Sequence, residues 1–277
     1  MLVFPHSKIN LGLNIVNKRS DGYHNIETVF YPISWCDALE VIENKHPKSD
    51  FEFHASGLNI DGPLETNLIY KAYQLVLKQF KIPPIQVYLH KNIPMGAGLG
   101  GGSADAAFFI RLLDHQFNLK MGLQNQYQIA EQLGSDCAFF VESKAVFASE
   151  RGNVFESCAI DLSQYYILII YPNIHSQTKE AYEGVLPKAS TYNLKQTVES
   201  TTIETWKELI KNDFEPTIFK KYPAIKILKE QLYQHKALYA SLSGSGSAVF
   251  GIFKTEPPKE FYQHLPHYLQ IPHQINL

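Results

Sequence analysis

The chain has 277 residues, of which 45% are apolar and 19% charged, and its formal net charge is −2. That profile fits a globular protein with a sizeable core in one large or two modest domains, and the near-neutral balance gives no support for nucleic-acid binding. Cys36, Cys137 and Cys158 are too few and too widely spaced for a disulfide framework or a zinc site, so reduced thiols in a cytoplasmic protein are expected, with no signal-like N-terminus and no apolar run long enough to span a membrane.

Leu11 to Val16 reads as a strand, followed by a turn at Arg19-Ser20-Asp21-Gly22. Val29 to Ile33, Leu39 to Ile42 and Phe51 to His54 are further strand candidates. Asn67 to Phe80 is predicted as an amphipathic helix with Leu68, Tyr73, Val76, Leu77 and Phe80 on its apolar side. Ile85 to His90 returns to strand, and Ser103 to Phe117 and Gln124 to Leu133 read as helices. Val146 to Ala148, Tyr165 to Tyr171 and Ala248 to Phe253 are strand candidates, the second apolar enough to be covered on both faces. Thr202 to Lys211 and Ala224 to His235 are helix candidates. Strands early and helices inserted later favour an α+β fold, with a domain boundary expected at 155/156.

The segment from Pro94 to Ala107 is the most informative. Gly96, Gly98, Gly100, Gly101 and Gly102 fall within seven residues, and Ser103 then opens the helical run. Glycines allow φ > 0 and close approach to backbone N–H groups, while a helix start adds unpaired donors and positive dipole character. Together they make a plausible phosphate cradle, against the simpler reading of a mobile turn. Gly96-x-Gly98-x-x-Gly101 also matches a dinucleotide fingerprint, but no acid stands about 20 residues on, and Lys91 to Pro94 separates it from the preceding strand. A P-loop motif is absent from the sequence.

Three further patches stand out. Lys8 and Asn10 lie two apart, on one face of an extended segment, with Ile9, Leu11 and Leu13 on the other; alone, Lys8 reads as a solvated surface lysine. Asp136 follows a glycine turn in Leu133 to Phe140, as a helix cap or as a carboxylate poised to orient a hydroxyl. Ser241 to Phe250 holds a second small-residue loop around Gly244 and Ser245, a hairpin turn or a second set of donors toward a phosphate.

With these four patches in this order, the chain resembles the GHMP kinase superfamily of small-molecule kinases. Pro94 to Ala107 is similar to its phosphate loop and Ser243 to Phe250 to its C-terminal glycine motif. Arg19-Ser20-Asp21-Gly22-Tyr23-His24 resembles an R-x-D-G-Y-H string typical of a branch acting on a cytidine diphosphate-linked alcohol. Gly134 to Phe140 resembles that branch's G-A-D-V-P-F-F, with Cys137 and Ala138 in place of Val and Pro. Ser7 replaces a usual alanine, and Ala104 a second serine, which removes one hydroxyl.

The resemblance implies a two-domain α+β fold, residues 1–155 and 156–277, with the active site in the interdomain cleft. It implies transfer of the ATP γ-phosphate, with Mg²⁺ accompanying ATP, to the 2-hydroxyl of a cytidine diphosphate-linked methylerythritol in non-mevalonate isoprenoid precursor biosynthesis. Lys8 and Asp136 would be the catalytic pair. Asn10, Tyr23, His24, Thr178 and Tyr182, with Asp136, would face this small-molecule substrate. Asn67, Lys91 and Pro94 would lie near the adenosine, and Met95 would also belong to the nucleotide site. Gly96, Ala97, Gly98, Leu99, Gly100, Gly101, Gly102, Ser103 and Ala104, with Gly244 and Ser245, would surround the phosphates. No nucleic-acid or membrane partner is expected.

Overall fold

A computed structural model describes residues 1–176 and 178–273. The strands begin with β1 (Leu2–Val3), β2 (His6–Lys18), β3 (His24–Cys36), β4 (Ala38–Glu43), β5 (Phe51–Gly57) and β6 (Ile85–Lys91). They continue with β7 (Val146–Ser149), β8 (Val154–Ser157), β9 (Tyr166–Ile170), β10 (Tyr239–Leu242), β11 (Val249–Phe253) and β12 (His267–Gln270). The first helices are α1 (Leu68–Leu77), α2 (Gly101–Phe117), α3 (Gly122–Leu133) and α4 (Ser135–Glu142). Then come α5 (Thr178–Glu183), α6 (Leu194–Ser200), α7 (Trp206–Leu209), α8 (Glu215–Lys221), α9 (Pro223–Gln234) and α10 (Lys259–Tyr262).

Compactness divides the chain into two units that interleave in sequence. The first holds residues 1–7, 35–95 and 100–143; the second holds 8–34, 96–99 and the described residues from 144 onward. The boundary expected at 155/156 is a linear division, whereas the compact units place most of β2 and β3 with the C-terminal half. The reason is pairing: the sheet order β2-β3-β7-β8 ties those long strands to the hairpin at 146–157.

In the first unit the sheet order is β1-β4-β6-β5, antiparallel except for the parallel β5–β6 pair. Parallel neighbours need a crossover, and α1 supplies it. Ile85, Val87 and Leu89 of β6 alternate inward while Tyr88 and His90 face out. On α1 the buried residues Ile69, Ala72, Tyr73 and Val76 follow the helical i, i+3, i+4, i+7 spacing. These faces join Phe109, Ile110 and Leu113 of α2 in one core. Each such fully buried aliphatic or aromatic side chain stabilises the fold by about 1.5–3 kcal/mol.

In the second unit a further sheet runs β10-β11-β9-β12. Ile167, Leu168, Ile169 and Ile170 of β9 are all buried, as the continuous apolar run predicts for a strand covered on both faces. The helix predicted over Thr202 to Lys211 is shorter: a 3₁₀ turn at Ile203–Thr205 leads into α7, which ends at Leu209. Residues beyond it are drawn out by β2. Leu13 N–H donates to Lys211 O at 2.9 Å, and Asp213 N–H donates to Leu13 O at 2.8 Å. Tertiary pairing there overrides helical propensity.

Candidate active site

The glycine segment uses its conformational freedom at alternate positions. Gly96, Gly98 and Gly100 have φ of 63°, 77° and 73°. A Cβ at Gly98 would fall on the Ser243 carbonyl oxygen, and one at Gly96 on the His175 ring. Within the second unit the two glycine motifs are therefore one construction. Ser243 Oγ donates to Gly98 O at 2.9 Å, Ala248 N–H to Ala97 O at 3.0 Å, and Lys8 N–H to Leu99 O at 2.9 Å. Gly244 has φ of 55°, and Ser245 Oγ shares a 3.1 Å hydrogen bond with Thr178 Oγ1.

Helix α2 starts at Gly101, two residues before the predicted Ser103, with Gly100 as a side-chain-free N-cap. The left-handed Gly100 sets the turn into the helix. The N–H groups of Gly101, Gly102 and Ser103 thus occupy the first helical turn, which offers donors and positive dipole character to an anion.

The first unit contains a cavity of about 560 Å³, within the range of small-molecule sites. Asn67 and Lys91, two of the three residues expected near the adenosine, line it together with Met95 and Gly102. Pro94 is buried but is not among the lining residues. Asn67 also caps α1, accepting from Ile69 N–H at 2.8 Å. The Lys91 ammonium is held by Asp37 and, at 2.8 Å, by Asp105 Oδ2.

Lys8 is not a solvated lysine: it is 3% exposed. Its ammonium donates to Asn10 Oδ1 at 2.7 Å and lies 5.0 Å from the Phe30 ring centroid. Asn10 Nδ2 donates to Thr28 Oγ1 at 2.9 Å, and Thr28 Oγ1 donates to Gly12 O at 2.6 Å. This relay leaves Asn10 one amide orientation and presents its oxygen to the ammonium. Asp136 is half-buried in the first turn of α4, whose N-cap is Gly134. The carboxylate is therefore not the cap.

The Arg19 to His24 string forms a stitched turn in the second unit. Arg19 Nε meets Asp21 Oδ2 at 3.0 Å, Tyr23 N–H donates to Asp21 Oδ1 at 3.1 Å, and Gly22 has φ of 86°. Tyr23 is left 54% exposed, with the Arg151 guanidinium 3.8 Å from its ring centroid. His24 stacks on Tyr182, centroids 4.7 Å apart and planes 13° from parallel, and Tyr182 packs edge-on against Phe214. Burial, helped by Lys18, lowers the His24 pKa, so a neutral ring faces outward near pH 7. Two aromatic positions from distant parts of the sequence thus flank one another beside Tyr23.

Sequence reasoning missed Arg151, Asp37 and Asp105. The one legible signal was Asp105, an acid set among the alanines that open the apolar run of α2. The cysteines are inert: burial raises the Cys36 and Cys158 thiols to about 11 and that of Cys137 to about 12. Among the described residues, no helix is long and apolar enough to cross a membrane.

The model of the GHMP kinases N terminal domain matches residues 67–144, and that of the GHMP kinases C terminal matches residues 194–270. A Cytophaga hutchinsonii protein named 4-diphosphocytidyl-2-C-methyl-D-erythritol kinase is 48% identical, over 93% of this chain and 94% of that one. The Bacteroides fragilis protein of the same name is 47% identical, over 92% and 93%. The chain belongs to the 4-diphosphocytidyl-2-C-methyl-D-erythritol kinase family. A crystal structure titled 4-(cytidine 5'-diphospho)-2C-methyl-D-erythritol kinase superposes with a TM-score of 0.78 at 26% identity, covering 97% of this chain and 98% of that one. Membership in this kinase family establishes the GHMP fold that the four sequence patches implied. The family's N-terminal model covers α2 with its preceding glycines and Asp136; its C-terminal model covers the Ser243 to Phe250 loop.

Proposed function

We propose that the chain transfers the γ-phosphoryl group of ATP to the 2-hydroxyl of 4-diphosphocytidyl-2-C-methyl-D-erythritol, giving ADP and the 2-phosphate, in non-mevalonate isoprenoid precursor biosynthesis. The observation that carries this reading is 48% identity over 93% of the chain to a relative bearing that name. The stitched turn that presents Tyr23 and His24 supports it from the residues themselves.

Phosphoryl transfer needs alignment and charge neutralisation more than covalent participation by the protein. The first turn of α2 and the glycines before it supply preorganised N–H donors for the phosphates. Asp136 accepts or orients the proton of the attacking hydroxyl, and Lys8, held by Asn10, stabilises developing negative charge. Asn67, Lys91, Pro94 and Met95 sit on the adenosine side, while Asn10, Tyr23, His24, Thr178 and Tyr182 receive the cytidine side. Flat rings with fixed hydrogen-bonding edges discriminate a base better than apolar fit alone.

Among the described residues, no group of three or more His, Cys, Asp and Glu is placed to hold a metal ion. Mg²⁺ accompanying ATP would be held chiefly by the nucleotide phosphates and would neutralise part of their charge. The cytoplasm is the compartment consistent with three cysteines that form no disulfide among the described residues. Competition tests the substrate side: CMP and CDP should compete with the alcohol and not with ATP. Equal turnover of methylerythritol phosphate lacking the cytidine would move the chain to another acceptor.

A further inference from the structure

A buried ion cluster lies at the wall of the first unit's cavity. Lys91, the last residue of β6, is 2% exposed, and its ammonium is shared by Asp37 and Asp105. Asp37 sits between β3 and β4 and also accepts from Asn92 N–H at 2.6 Å and Ile93 N–H at 2.8 Å. Asp105 is the fifth residue of α2 and lines the cavity. The trio thus ties the end of β6 to the start of α2, the two ends from which residues 92–100 are strung.

The charges do not balance if both acids ionise. The charged groups facing Asp105 are Lys91 from β6 and Asp37 from the β3–β4 connection. Asp37 accepts from three N–H donors, the setting of a carboxylate anion, and that anion balances Lys91. Asp105 is 3% exposed, and its Oδ1 is buried with no hydrogen-bond partner among the described residues. An ionised Asp105 would share one ammonium with Asp37 and leave the buried trio with a net negative charge. Burial, opposed by Lys91, raises the Asp105 carboxyl to about 7.

We propose that Asp105 is a positioning residue of the nucleotide site that holds a proton on Oδ1 when nucleotide is bound, so that the trio is neutral. The inference rests on the reading of this cavity as the nucleotide site. Bound nucleotide is anionic, and an ionised Asp105 adds a further negative charge to the wall of the cavity that would hold it. Nucleotide therefore favours the protonated form, and by reciprocity the protonated form binds nucleotide more tightly. The proton comes from the buffer, and no covalent bond to the ligand is made. A coupling of about tenfold, inside the usual range for linked sites, would move the carboxyl by about one pH unit.

Isothermal titration of the full chain with the β,γ-imido analogue of ATP and saturating Mg²⁺, in buffers of different ionisation heat, counts the proton. Uptake of about half a proton is expected at pH 7.5 for a tenfold coupling. Wild-type affinity should fall by about tenfold from pH 6 to pH 9. Asp105→Asn keeps an oxygen for Lys91 and places an N–H donor where the proton sat. It should bind with no uptake of its own and with the wild-type pH slope removed, nucleotide ionisation being common to both proteins. A purely structural Asp105 would shift the melting temperature and leave the proton count equal in the two proteins, which overturns the inference. If the variant does not fold, zero uptake by wild type alone overturns it. Failure of wild type to bind the analogue at any pH overturns the nucleotide reading itself.

Discussion

Gly98→Ala tests whether the two glycine motifs form one rigid construction. Alanine would have to adopt φ near 77°, a left-handed conformation costing roughly 1–2 kcal/mol. Its Cβ would fall on the Ser243 carbonyl oxygen and lie 2.9 Å from that carbonyl's carbon. The obstacle is backbone, so the loop itself must move. Moving it loosens the Gly246 N–H to Ser243 O bond at 2.9 Å and the Ser243 Oγ to Gly98 O bond at 2.9 Å. Each is worth about 1 kcal/mol net, for a total of about 3–4 kcal/mol. At about 2–4 °C per kcal/mol in a protein of this size class, the melting temperature should fall by about 6–16 °C. Gly102→Ala is the internal contrast. It lies in the first turn of α2, and its Cβ would meet only Leu68 Cδ1 at 3.9 Å. Replacing glycine by alanine in an open helical site should stabilise by about 0.5–1 kcal/mol. Differential scanning calorimetry of the two variants beside wild type reads both signs. A Gly98→Ala melting temperature within about 2 °C of wild type would refute the close approach.

Asp136→Asn should fold and bind both substrates while losing about 10²–10⁴ in kcat, and near-wild-type turnover would remove it from the mechanism. Lys8→Ala should lower kcat more than it raises KM for the alcohol; a change confined to the KM for ATP would make it a nucleotide-binding residue. Tyr23→Ala removes a ring worth roughly 1–3 kcal/mol of base stacking, about 5–150-fold in kcat/KM for the cytidine substrate, with the KM for ATP held. His6 is buried against Phe108 and Phe140, and burial, with Arg111, lowers its pKa. Its ring stays neutral in the fold while the unfolded chain takes up a proton below about pH 6.5, so its contribution is full above that pH and lost on acidification. Urea melts from pH 7.5 to 5 should show a smaller loss for His6→Phe than for wild type, and identical slopes would contradict the assignment.

The parts of this protein legible in its sequence are those with local causes. Alternation in β6, helical spacing in α1 and the glycine cluster were each readable because period and backbone freedom are local properties. The start of α2 was misplaced because an N-cap made by backbone conformation at Gly100 leaves no side-chain signal. The short α7 and the strand-like pairing after Leu209 depend on β2, nearly 200 residues earlier, which no local window contains. At the site, Lys8, Asn10, Tyr23 and His24 were findable from one end of the chain. Lys8 looked like a surface residue until the Asn10–Thr28 relay supplied its burial with partners. The Asp37–Lys91–Asp105 trio joins three separated elements, so its unequal charge count exists only in the folded chain.

The most direct test of the account is ADP release by the purified protein with Mg-ATP and each of four acceptors: 4-diphosphocytidyl-2-C-methyl-D-erythritol, mevalonate, homoserine and galactose. The account predicts turnover with the first, phosphorylated at its 2-hydroxyl, and background rates with the rest. Turnover of another acceptor at a comparable or higher kcat/KM would contradict it.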